Sequence, residues 1–132
     1  YVPVTPSPIG PMPSGTVGQW IQQALIIMKA HGMDVSTIDP QAIEIIIKHE
    51  SNGNPYARNG WDINARNGTP SIGLMQTIGP TFDGNKLAGY DNIYDPVSNI
   101  IAGVRYAINR YGSVSNVPGV LAVRAGRPYE PY

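Results

Sequence analysis

The chain contains no cysteine, which excludes disulfide frameworks, Cys-ligated zinc, iron–sulfur clusters and thiol nucleophiles. It has no net charge either, because nine Lys and Arg balance nine Asp and Glu. Without a net field to hold a polyanion, neither nucleic acid nor an anionic membrane surface is an expected partner. Long apolar runs are missing. The longest, Ala24 to Met28, is far too short for a membrane span, so no membrane insertion is expected. Charged residues make up only 14% of the chain, and no internal repeat is evident. What is abundant is Gly (15) and Pro (13), about a fifth of the 132 residues. That profile fits one loop-rich domain with a polar but weakly charged surface.

Pro3, Pro6, Pro8, Pro11 and Pro13 punctuate a start with nothing periodic to bury. Residues 1–15 therefore read as an extended linker, and 16–132 as the folded domain, a piece of something larger. Thr16 and Gln19 suggest a T-x-x-Q capping box that opens a first helix, with Val17, Trp20, Ile21, Ala24, Leu25 and Met28 at helical spacing and Gly32 ending it. Asp39-Pro40 predicts a second helix through Ile43, Ile46 and Ile47 to about Asn52. Two Asn-Gly pairs, at Asn59 and Asn67, bracket Trp61 to Arg66 and predict a small hairpin. A short helix is expected over Thr81 to Leu87. The strongest periodicity follows Asp95-Pro96, with Val97, Ile100, Ile101, Val104, Ile108 and Tyr111 on one stripe up to Gly112. A last short helix follows Val117-Pro118. The expected class is α+β, mainly α.

Glu50 does not fit its surroundings. At 100° per residue it falls about 20° from Ile43, in the middle of the apolar stripe of the second helix rather than beside Glu44 and Lys48. Burial disfavours its charged form, and the unpaired carbonyls of a helix's last turn oppose ionisation too. A carboxylic acid kept protonated at a groove edge is what a general acid requires, although a structural glutamate hydrogen-bonded in the core would show the same pattern. Other constellations fail. His49-Glu50 lacks a second zinc-ligating His, since position 53 is Gly, and His31 and His49 read as structural or solvated. No G-x-S-x-G elbow exists. Asp62-Ile63-Asn64 begins like a calcium loop, but Gly73 stands where its bidentate Glu belongs. No metal and no organic cofactor is called for.

Glu50-Ser51-Asn52-Gly53-Asn54-Pro55-Tyr56-Ala57 resembles the E-S-x-x-N-P-x-A motif of soluble lytic transglycosylases, the goose-type-lysozyme-like domains that cut peptidoglycan. Ser71 to Gln76 is similar to their S-x-G-L-M-Q motif. Asn92 to Pro96, continuing through Asn99-Ile100 and Gly103 to Tyr106, is similar to a third. The wording from Gly73 to Tyr132 looks most like domains of phage tail tape-measure proteins and secreted cell-wall lysins. The resemblance implies a lysozyme-like helical domain in which Glu50 is the catalytic acid and then base. It places Ser71, Gly73, Met75 and Gln76 along the saccharide groove, the small residue letting the chain approach and Met and Gln contacting sugars. Leu74 reads as core, and Tyr106 as core or groove. The family's fourth motif, A-Y-N-A-G, has a Tyr hydroxyl that supports the glutamate. Here the corresponding stretch is Ala122-Val123-Arg124-Ala125-Gly126, and Tyr129 is the candidate to supply the hydroxyl.

The implied reaction is cleavage of the β-1,4 bond between N-acetylmuramic acid and N-acetylglucosamine, with the muramoyl 6-hydroxyl attacking to give a 1,6-anhydro product. A hydrolytic muramidase would need a second carboxylate or polar group to place water, for which Asp62 is the candidate and Asp83 the weaker one. A non-catalytic glycan-binding module is the alternative of a different class. The expected partner is the peptidoglycan glycan strand, bound by hydrogen bonds and by aromatics such as Tyr56, Trp61, Tyr90 and Tyr94. The expected state is a monomeric domain tethered in a larger protein, extracellular at the cell wall or in a virion tail.

Overall fold

Two of the helices begin at the Asp-Pro pairs, for the same local reason. In the computed structural model, which describes residues 12–59, 68 and 70–131, Asp39 accepts the Gln41 amide at 2.9 Å and Asp95 accepts the Ser98 amide at 2.9 Å. Each carboxylate satisfies an otherwise orphaned N–H, and each Pro fills a first helical position that needs no donor. They open α2 (Pro40–Ser51) and α4 (Pro96–Tyr111). Before α2 comes α1 (Gly15–Ala30). Between α2 and α4 come β1 (Arg58–Asn59), β2 (Ser71–Ile72) and α3 (Gly79–Asn85). A 3-10 turn over Val114–Asn116 leads to α5 (Pro118–Arg124). The class is mainly helical α+β, as the sequence suggested.

Some boundaries differ from expectation. Ser14, not Thr16, caps α1, and no side chain bonds to the helix start, so the T-x-x-Q box does not form. Pro13, assigned to the linker, is instead buried against α1: a β-carbon on Gly18 would stand 2.5 Å from the Pro13 carbonyl carbon. The chain thus enters α1 by close packing rather than by a polar cap. The hairpin expected over Trp61 to Arg66 lies outside the described residues. Among the described residues, Arg58–Asn59 pairs with Ser71–Ile72, antiparallel in the register Arg58 to Ile72 and Asn59 to Ser71.

α4 is the axis of the fold. Every residue from Val97 to Val104 is buried, including Ser98 and Asn99, because α1 and α3 cover one part of its circumference and the chain around residues 71–77 another. Its uncharged run of small and apolar residues suits a helix enclosed on all sides. Ile21, Ala24, Leu25 and Met28 of α1, Ile43, Ile46 and Ile47 of α2, and Val114, Val117 and Val120 complete one core. α2 packs on α1 with one part of its surface and on α5 with another, so its last turn lies near the C-terminal segment.

Candidate active site

α2 carries Glu50 to its penultimate position, half-buried, where the helix ends in a left-handed Asn52 at φ 52°. Burial holds the Glu50 carboxyl above the ordinary glutamate value, and one hydrogen bond works against that rise. The bond comes from the Tyr129 hydroxyl, which donates to Glu50 Oε2 at 2.6 Å, a short contact of the charge-assisted kind. The Tyr129 ring in turn lies parallel to the His49 imidazole, with centroids 4.8 Å apart and planes 3° from parallel. Adjacent residues of one helix end therefore hold one tyrosine, His49 by its face and Glu50 by its hydroxyl. A half-buried acid with a hydrogen-bond donor on one oxygen can release a proton and have the resulting charge stabilised.

Residues 71–77 form a shelf beside the chain that leaves α2. The Gly73 amide donates to Ala57 O at 2.8 Å, which ties the shelf to the chain leaving α2. Gln76 takes a left-handed conformation (φ 55°), and its Nε2 donates to Ala57 O at 3.1 Å and Gly73 O at 2.9 Å. Asn99, wholly buried on α4, holds the shelf from beneath: its Oδ1 accepts the Met75 amide at 2.8 Å, and its Nδ2 donates to Ile72 O at 3.1 Å and Ile93 O at 2.9 Å.

This geometry revises the expected groove. Met75 is 0% exposed and packs on Gly103, where a β-carbon would lie 2.7 Å from its sulfur, so Met75 is a core residue and cannot reach a sugar. Leu74 is core, as expected. Gly73 is also buried. The Asn99 side chain approaches it, with Cγ 2.8 Å from where a β-carbon would stand, so the glycine makes room for Asn99. The amide nitrogen of Gln76 serves the shelf. Ser71 and Tyr106 are half-buried, on β2 and α4. Asp62 and Trp61 lie outside the described residues. Asp83 sits exposed on α3 beside Lys86, 3.9 Å away, as a surface residue would.

The Transglycosylase SLT domain family matches residues 28–125, about three-quarters of the chain. The chain belongs to the transglycosylase SLT domain family. It is also similar to the "Uncharacterized protein YqbO" of Bacillus subtilis (strain 168), with 45% identity over 119 residues, covering 90% of this chain and 7% of that protein. The chain thus spans a small fraction of the curated relative it matches. No solved structure matches it.

Three residues of this SLT domain escaped the sequence reading as parts of the site. His49 was read as structural or solvated, and only the fold shows its ring against Tyr129. Asn99 falls on the side of α4 that periodicity assigns to solvent. The usable signal is the absence of any charge from Pro96 to Val104, which marks a stretch of helix buried all round. Gly119 is buried on α5 in direct contact with Tyr129. No local pattern announces that contact.

Proposed function

We propose that this SLT domain cleaves the β-1,4 bond between N-acetylmuramic acid and N-acetylglucosamine in peptidoglycan, with Glu50 as the single acid and base. Glu50 gives its proton to the glycosidic oxygen as oxocarbenium character develops at the muramoyl anomeric carbon. The carboxylate left behind accepts the proton of the muramoyl 6-hydroxyl as that oxygen bonds to the anomeric carbon. The product is a 1,6-anhydromuramoyl end, no water is consumed, and Glu50 is protonated again. Tyr129 takes the part of the fourth-motif tyrosine that the sequence lacks, its hydroxyl supporting the carboxylate between the two transfers. Ser71 and Tyr106 remain the candidates to line the groove. The domain works as one module of a longer protein that faces the cell wall, a reading supported by the small share of the relative that it spans.

The observation that carries this reading is the half-buried Glu50, held above its ordinary titration range by burial and hydrogen-bonded to Tyr129 at 2.6 Å. Glu50→Gln keeps the shape and removes the proton. On purified peptidoglycan it is expected to lower fragment release by about 10²–10⁴-fold. Mass spectrometry of the fragments released by the parent chain should show anhydro ends. Reducing ends would mean hydrolysis, and unchanged release by Glu50→Gln would remove the enzyme reading.

A further inference from the structure

α5 begins Pro118-Gly119, and the glycine sits where the C-terminal segment folds back over the helix. A β-carbon at Gly119 would stand 2.5 Å from Tyr129 Cδ1 and 2.5 Å from Glu130 O, and closer still to Tyr129 Cε1. Real β-carbons do not come so close, and here one of the obstructing atoms is backbone. The position is helical with no left-handed torsion to explain a glycine, and Gly inside a helix is less favourable than Ala. Space for the tyrosine is the property that only glycine supplies there.

We propose that Gly119 is a positioning residue for the acid: with His49 it forms a seat for the Tyr129 ring, the α5 backbone against its Cδ1 and Cε1 atoms and the imidazole on its face, so that its hydroxyl meets Glu50. One wall of the seat is the bare backbone of α5, and the other is the His49 imidazole, parallel to the ring at 4.8 Å. The seat explains how a tyrosine that comes after α5, 79 residues from Glu50 in sequence, is held with its hydroxyl on the acid. The role in catalysis rests on the reading of Glu50 given above. The seat itself does not.

Gly119→Ala, Tyr129→Phe and the double variant, each made in the full chain, test this. The docking readout is the proton NMR shift of the His49 ring, displaced upfield by the stacked tyrosine. Tyr129→Phe should keep that displacement and lose the hydroxyl. Gly119→Ala should lose the displacement while its far-UV circular dichroism remains helical. Both single variants should lower release from peptidoglycan by about 10-fold or more, as expected for a lost charge-assisted hydrogen bond, and the double variant should be no worse than the poorer single. A His49 shift unchanged in Gly119→Ala, or losses that multiply in the double variant, would overturn the seat. Should Gly119→Ala lower the melting temperature, Tyr129→Ala separates the causes. The added alanine should then have little further effect, and an equal drop in that background would make Gly119 a core requirement and end the proposal. If no variant or parent releases fragments but Gly119→Ala still frees His49 from the ring, the activity reading fails and the seat stands.

Discussion

Glu50 is under two opposing influences, and the balance between them sets how stability varies with pH. Burial raises its titration and the Tyr129 bond lowers it, with burial the larger. A carboxyl that titrates above its unfolded value favours the fold most when protonated, and that contribution is lost as pH rises through the raised value. Glu50→Gln, neutral at every pH, should therefore be more stable than the parent at pH 7, with the gain closing as pH falls to the ordinary glutamate range. Thermal melts at pH 7 and in that range check this, and a gain that persists unchanged at low pH would contradict it. Asn99 is expected to behave in the opposite way. Asn99→Ala removes the buried acceptor of the Met75 amide, the donor to Ile93 O and one of two donors to Ile72 O, so it should cost about 3 kcal/mol and speed hydrogen exchange at Met75. Of these two residues only Glu50 stands out by its place on a helix, since Asn99 enters only as a letter of the third motif. The helix of Glu50 is amphipathic, so a polar residue on the apolar stripe stands out, whereas Asn99 lies in the half of α4, Val97 to Val104, that is buried all round and has no solvent side to contrast with.

At the scale of elements, the site depends on where α2 begins as much as on where it ends. Asp39 is 4% exposed, caps α2, and also forms an ion pair with Arg124 in the last turn of α5. One carboxylate thereby joins the start of the helix that carries Glu50 to the end of the helix whose continuation carries Tyr129. Asp39→Asn can keep the cap but not the ion pair, and Asp39→Ala keeps neither. Chemical denaturation should rank them accordingly, with Asp39→Ala losing about 2 kcal/mol and Asp39→Asn roughly half as much. The Asp-Pro starts were readable because cap and helix lie within four residues of each other. The Arg124 contact was not, because its partner is 85 residues away and the A-V-R-A-G stretch read only as a departure from A-Y-N-A-G. Tyr129 and Arg124 belong to one local arrangement: α5 supplies a latch to Asp39, and the segment after it supplies a hydroxyl to Glu50.

Over the whole molecule, the family match and the folding unit do not coincide. The match covers 28–125, yet α1 begins at Gly15 and the Glu50 partner is Tyr129. A chain trimmed to 28–125 would lose Ile21 and Ala24, both 0% exposed, and Leu25, 8% exposed, from the face of α1 that packs on α4. Withdrawing Ile21 and Leu25 at about 1.5–3 kcal/mol each, and exposing the side of α4 that they cover, removes an amount comparable to the roughly 5–15 kcal/mol that holds a domain of this size together. Trimming at the other end, to 12–125, removes no residue of the core cluster and only the strap with Tyr129. The expected outcomes separate cleanly. The chain trimmed to 28–125 should show no cooperative thermal transition, and 12–125 should melt cooperatively but release fragments at the level of Tyr129→Ala. Residues 12–131 should match the full chain in both measurements. A cooperative, active 28–125 would show that α1 is an accessory to the fold and that the acid works without its tyrosine.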